Sequence, residues 1–233
     1  MMIWIFAALA FIGFVLAVPL SKVDTGTGRR RFASACAVAA LIVATPTAKA
    51  GSDQQLYIAV GGVTRPPIGW IGFCIEYAAE CKTKPLEASD VVITPRTWKD
   101  LAQINKWVND SVYPMTDIDH WGMIDRWNYP DDGYGDCEDY VLLKRRMLMQ
   151  AGWPRQALLI TVVRDHNDEG HAVLTVKTDK GEFILDNQSP DILLWSETGY
   201  HFVKRQSQRD PNVWLALSDP RPAPATAAAK QRR

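Results

Sequence analysis

Two helical patterns followed by a run of short β-branched segments predict an α+β fold. Between residues 98 and 152 apolar side chains recur at helical spacing in two segments. From residue 157 onward the texture changes to strands separated by turn residues, as in an antiparallel meander. Helices first and strands second is the order of an α+β domain, not of alternating α/β units. The 233-residue chain, 47% hydrophobic, suits one ordinary domain plus extras, and its apolar content excludes a largely disordered protein. With 26 basic and 26 acidic side chains it lacks the basic excess of a dedicated nucleic-acid binder.

The first fifty residues read as a targeting region. Residues 1–20 carry no charge and are about long enough to cross a bilayer as a helix. A second signal follows, with Arg29-Arg30-Arg31, an apolar stretch over Ala33–Ala44, and Ala48-Lys49-Ala50 as a small-x-small cleavage site. The simplest expectation is a signal peptide cut after Ala50, the upstream stretch being an over-extended start with Val23 as initiator. The other is a retained membrane anchor at residues 1–20. Either carries the domain across the inner membrane, to a periplasmic location, and Cys36 falls in the targeting region. Five basic residues and one acid lie in residues 1–50, so the remainder holds 21 basic and 25 acidic groups and is mildly acidic.

The expected domain runs over 51–218. Residues 51–70 look loop- and strand-like, broken by Gly61-Gly62 and Pro66-Pro67. Cys74 and Cys81 could close a short disulfide loop in an oxidising compartment, or stand as two buried thiols. A zinc site is disfavoured, since no second Cys/His pair lies at finger spacing. A helix is expected over 98–112, capped by Thr97, with Trp98, Leu101, Ile104, Val108 and Val112 along it and Pro114 ending it. A second is expected after Asp136 as cap, with Asp139 in a capping-box-like place and Gly152 and Pro154 as the stop. Only Lys144, Arg145, Arg146 and Gln150 are polar in its body, so it should be central and mostly buried. Strands are expected at 157–164, 171–178, 182–188, 199–207 and 212–217, with a hairpin turn at Asp179-Lys180-Gly181. Residues 219–233, rich in Pro and Ala, read as a disordered tail.

Cys137 stands in GYGDCEDY, at the start of the buried helix. Free backbone N–H groups and the positive end of the helix dipole would stabilise a thiolate there, and could hold an oxyanion during acyl transfer. His171 opens one strand and Asp186 lies near the end of the next. About the hairpin centre they are not directly opposite, but the offset is small enough for a diagonal meeting on one face. Asp186 could then fix the tautomer of His171 while the other ring nitrogen faces Cys137. An inert core cysteine and a satisfied strand histidine are the plain alternatives for each residue alone.

GDCEDYVLLKRRMLMQAGWP, then GHAVLTV, then FILDN, with Trp70 to Cys74 as a W-x-x-F-C element, resemble the bacterial transglutaminase-like cysteine proteinase family over about residues 68–208. The resemblance implies a papain-like, transglutaminase-like fold and a cysteine peptidase with Cys137, His171 and Asp186 as its triad. It also implies a protein substrate in the cell envelope, since members of the family clip large adhesins in the periplasm. A membrane-protein regulator is a further expected partner; nucleic acid and organic cofactors are not. In the adhesin-cleaving members, acids flanking the nucleophile bind calcium, which here implies Asp136 and Glu138. Two carboxylates only begin a calcium site, and Asp131, Asp132, Asp139 or loop carbonyls could add to it. The alternative is that Asp136 caps the helix and Glu138 complements its dipole. Asp165–Gly170 has the look of an EF-hand loop, but its twelfth position would be Val176, so a plain polar turn is expected. Trp121, Trp127, Tyr129 and Tyr134 are expected to pack or line the cleft. The same triad could serve a transglutaminase or amidase, although vertebrate transglutaminases carry Trp directly after the Cys where this chain has Glu138. A non-enzymatic envelope binding module is the rival from another class.

Overall fold

The computed structural model describes residues 55–221. The expected export region, with Cys36, lies outside them, as does the expected tail from residue 222. Seven strands form one sheet in the order β1-β9-β8-β4-β5-β6-β7. They are β1 (Ala59–Thr64), β4 (Leu158–Arg164), β5 (Gly170–Thr178), β6 (Gly181–Leu185), β7 (Leu193–Leu194), β8 (His201–Gln206) and β9 (Trp214–Ser218). Every neighbouring pair in it is antiparallel. A two-stranded parallel ribbon joins β2 (Tyr113–Pro114) to β3 (Tyr134–Gly135). The helices are α1 (Ile68–Glu76), α2 (Ala78–Cys81), α3 (Pro95–Ser111), α4 (Asp117–Trp121) and α5 (Cys137–Gln150). The α+β expectation holds, with helices before the main run of strands.

α5 packs on β5 from one side and against α3 from the other. Nine of its 14 residues are buried, among them Lys144 and Arg145, which a helical wheel would have placed in water. Arg145 meets Glu80 of α2 at 3.2 Å, so its burial is paired. The main core lies between α5 and the sheet and includes Leu142, Leu148, Ile160, Leu174 and Leu185. An aromatic cluster extends it. Trp70 stacks on Phe73 and meets both Trp127 and Trp214 edge-on. Trp70 and Phe73 come from α1, whose opposite side exposes Ile68, Ile71 and Ile75. A disulfide joins Cys74 to Cys81 and ties α1 to α2; Cys137 is free.

Several boundaries differ from expectation, each for a local reason. Helix α1 begins inside the stretch read as loop and strand. Helix α3 starts at Pro95, not at Trp98, because Thr94 caps it and Thr97 answers as the reciprocal third residue. Asp136 has cap backbone geometry but makes no capping hydrogen bond; its carboxylate turns to other acids, described below. Asp139 forms no capping box either and instead accepts the Asn128 N–H at 2.9 Å. Residues 219–221, expected in the tail, are bonded through their side chains to β8 and the turn before it. Asp219 accepts the Phe202 N–H at 3.0 Å, and Arg221 donates to the Tyr200 carbonyl at 2.7 Å.

Gly69 shows how tightly the aromatic cluster is closed. A methyl group there would sit 2.1 Å from Trp127 Cδ1. Trp127 cannot retreat easily, because its indole N–H donates to Asp125 Oδ1 at 2.8 Å while Asp125 Oδ2 accepts the Gly69 N–H at 2.9 Å. Gly69→Ala should therefore cost about 1–3 kcal/mol, the usual range for overpacking a filled core. A urea titration followed by tryptophan fluorescence should show the midpoint fall; an unchanged midpoint would mean the cluster has room to spare.

Candidate active site

Each reactive side chain is placed by a different element. The β5–β6 ladder pairs Leu174 with Leu185 and Thr178 with Gly181. Carried outward, this register sets His171 opposite Gln188. Asp186 is then two residues off, on the same face and within diagonal reach. His171 Nε2 and Asp186 Oδ1 are 2.8 Å apart, with both side chains buried. Burial pushes the Asp186 carboxyl up, but hydrogen bonds from His171, Tyr200 and the Gln188 backbone outweigh it and hold the group below the ordinary carboxylate range. An ionised carboxylate only accepts, so Nε2 must donate, and in a neutral imidazole the lone pair is then on Nδ1. The Gln188 amide nitrogen lies 3.5 Å from Nδ1.

Cys137 is the first residue of α5. Its Sγ accepts the Ala172 N–H at 3.4 Å and lies 3.1 Å from Glu138 Oε2, to which the thiol donates. Cys137 and His171 share the wall of a cleft of about 260 Å³ with Trp127 and Val162. They share a second one of about 490 Å³ with Met115, Asp119 and Gln188. The two spaces meet at Cys137, Gly170 and His171. One expectation is overturned here. Burial raises the Cys137 thiol well above its ordinary value and the Glu138 carboxylate raises it further, against the lowering effect of the Ala172 N–H. Desolvation and a neighbouring negative charge outweigh the helix end.

The flanking acids do more than complement a dipole. Carboxylate oxygens of Asp117, Asp136 and Asp139 all lie within 4.8 Å of one another, and those of Asp136 and Glu138 within the same distance of the Cys137 sulfur. Asp136 Oδ1 and Asp139 Oδ2 are buried with no hydrogen-bond partner among the described residues. Burial and the neighbouring Asp136 and Asp117 charges push Asp139 up to about 8. Asp117, Asp136 and Glu138 are also raised, burial being the main cause in each. Converging carboxylates with orphaned oxygens make a donor set that fits a hard, oxygen-seeking cation. Asp131 and Asp132 do not join it. Asp131 meets Arg146 at 3.1 Å and Asp132 meets His120 at 2.8 Å. The Asp165–Gly170 segment is a polar turn as expected, Asp165 Oδ1 accepting the N–H groups of Asn167 and Glu169.

A thiol at the start of a buried helix lines the same clefts as an imidazole held by a carboxylate from the neighbouring strand, an arrangement compatible with acyl transfer through a cysteine. The family model for the bacterial transglutaminase-like cysteine proteinases matches residues 60–222. The chain belongs to that family and is a cysteine proteinase. Among solved structures it is similar to Legionella pneumophila LapG, 28% identical over 51% of this chain and 68% of that one, TM-score 0.44. A calcium-bound form of the same protein is 25% identical over 55% and 73%, TM-score 0.45. An EGTA-treated form is 27% identical over 53% and 72%, TM-score 0.44. No curated protein sequence matches the chain.

Two residues take up places that their local sequence does not announce. Asp117 joins the acids only because the parallel β2–β3 ribbon lays the segment before it beside Gly135, a long-range pairing that two-residue strands do not advertise. Lys144, two turns along α5 from Cys137, has a buried ammonium with no partner among the described residues. Burial brings it down to about 7, against the attraction of Asp186. The ordinary value is 10.5, so between roughly pH 10.5 and 7 the unfolded chain binds a proton that the folded one refuses. The contribution of Lys144 to stability should fall as the pH drops through that window and level off below it. Lys144→Met should then stabilise the protein, on the order of 3 kcal/mol at pH 6, and hardly at all near pH 10. Calorimetry at the two pH values checks it; an equal gain at both would place the ammonium in contact with water.

Proposed function

We propose that the protein hydrolyses a peptide bond of a protein substrate in the cell envelope, using Cys137, His171 and Asp186, from an exported domain that begins at residue 51. The observation that carries this reading is the 2.8 Å His171–Asp186 contact on the wall of the cleft that also holds the free Cys137. His171 Nδ1 takes the thiol proton and Sγ attacks the substrate carbonyl carbon. N–H groups at the start of α5 receive the oxyanion of the tetrahedral intermediate. Collapse breaks the C–N bond, and His171 passes its proton to the leaving amine. Water, deprotonated by the same imidazole, then cleaves the thioester and frees the thiol. Asp186 keeps Nε2 protonated throughout, so that Nδ1 is the base.

The buried orphaned oxygens of Asp136 and Asp139 support a calcium ion held by Asp117, Asp136 and Asp139, with Glu138 beside them. Such an ion would supply positive charge next to the nucleophile, offsetting the carboxylate field that adds to burial in raising the thiol.

Two expectations follow from this reading. Cys137→Ala and His171→Ala should each lower turnover by about a thousandfold or more, and the double change should be little worse, because nucleophile and base act as a unit. Asp186→Asn should leave a weaker but measurable activity. Comparative proteomics of envelopes from wild type and Cys137→Ala would reveal the protein trimmed only by the former; full trimming by Cys137→Ala sinks the proposal. For calcium, Asp139 ordinarily titrates at 3.8 and in the fold at about 8. A carboxyl raised on folding contributes stability at low pH that is lost as the pH rises through its folded value. The chelated protein should therefore weaken from pH 5 to pH 8, and calcium should raise the melting temperature more at pH 8. Asp136→Ala should abolish that response, and a melting temperature indifferent to both calcium and chelator would remove the metal site.

A further inference from the structure

Asp186 has two carboxylate oxygens, and the triad uses one. Oδ1 accepts from His171 Nε2 at 2.8 Å and from the Gln188 N–H at 3.0 Å. Oδ2 accepts from the phenol of Tyr200 at 2.5 Å. Tyr200 is buried, and its ring stands edge-on to the His171 imidazole, 5.7 Å between centroids at 75°. It thus touches both the acid and the flank of the base.

The residue and its carboxylate partner are held from independent directions. Gly199 before it adopts φ +73°, a left-handed conformation that sets the turn into β8, and His166 occupies the space where a side chain at 199 would stand. The Tyr200 N–H donates to Thr198 Oγ1 at 3.3 Å. Its carbonyl accepts from Arg221 at 2.7 Å, and Asp219 fixes that guanidinium at 2.7 Å. On the other side, Asn109 of α3 donates to the Asp186 carbonyl at 2.8 Å. Besides His171 on β5, the titratable groups facing the Asp186–Tyr200 pair are Lys144 on α5 and, from the β4–β5 turn, Asp165 and His166, whose ring lies 5.1 Å from that of Tyr200.

We propose that Tyr200 is a positioning residue of the catalytic centre, clamping the second oxygen of Asp186 so that the carboxylate plane stays aligned with His171 Nε2. The proposal rests on the Cys137–His171–Asp186 reading. Remove the phenol, and Oδ2 becomes a buried acceptor without a partner while the carboxylate is free to turn about its last torsion. A carboxylate that turns holds the imidazole less firmly, and an orphaned oxygen binds a proton more readily.

Tyr200→Phe keeps the ring and deletes only the donor. It should lower kcat about tenfold, the loss of one hydrogen bond to a charged group, with KM unchanged. It should move the acid limb of the kcat/KM profile to higher pH. In an Asp186→Asn background the same change should have no further effect, because Tyr200 acts through Asp186. Should Tyr200→Phe lower the melting temperature so far that the assay fails, site-specific 3-fluorotyrosine at 200 replaces it. As a stronger donor of nearly the same shape, it should move the acid limb to lower pH. A wild-type pH profile in Tyr200→Phe, or in the fluorotyrosine protein if that is used, overturns the proposal. So do losses that multiply in the double variant. If Asp186→Asn alone is fully active, the triad reading fails and this proposal with it; a crippled Asp186→Asn beside an unaffected Tyr200→Phe rejects the clamp alone.

Discussion

Everything at the centre depends on how the first turn of α5 seats against the first residues of β5. The contact is small, an N–H from Ala172 reaching the Cys137 sulfur at 3.4 Å, but it joins the two elements that carry the proposed nucleophile and base. Side chains alternate along a strand, so Ala172 faces α5 and the main core while His171 faces the other side of the sheet with Val173. Cys137 and His171 therefore line the same two clefts from either side of the end of β5. Gly170 stands at that end and lines both clefts without a side chain to block them. A helix buried on nearly every side cannot slide along its axis without opening voids, and this fixes the sulfur relative to the strand end.

The same seating creates an electrostatic problem. Burying the start of α5 also buries Asp136, Glu138 and Asp139, and Asp117 is delivered beside them from the far side of the β2–β3 ribbon. Clustered carboxylates in a low-dielectric pocket repel one another and oppose a thiolate. The neighbouring Asp186 escapes this fate because it is fully engaged by donors: an imidazole, a phenol and a backbone N–H. The contrast separates two kinds of buried acid in one small region. One kind is satisfied by the protein itself; the other is left with free oxygens.

Which features could be read in advance follows from the range of the forces that set them. The α5 motif, the strand run and the hairpin at 179–181 are local, and counting from that hairpin was enough to bring His171 and Asp186 within diagonal reach. The helix-capping residue of α3 was displaced by one turn because Thr94 and Thr97 are the same residue type three apart, and only the reciprocal bonding shows which one leads. The depressed thiol expected from a helix terminus was wrong because desolvation depends on what packs over a side chain, which no local motif records. Asp117, Lys144 and Arg145 escaped for the same reason: their burial is decided by elements far away in sequence.

The first strand of the sheet pairs with the last, β1 with β9, and the residues just after β9 pin the turn that carries Tyr200. A chain emerging from its amino end thus displays the thiol, the imidazole and the carboxylate in turn, long before the segment that locks them is available. Pairings of such wide sequence separation form slowly and together. Catalytic competence should then arrive as a single late event in the maturation of each molecule.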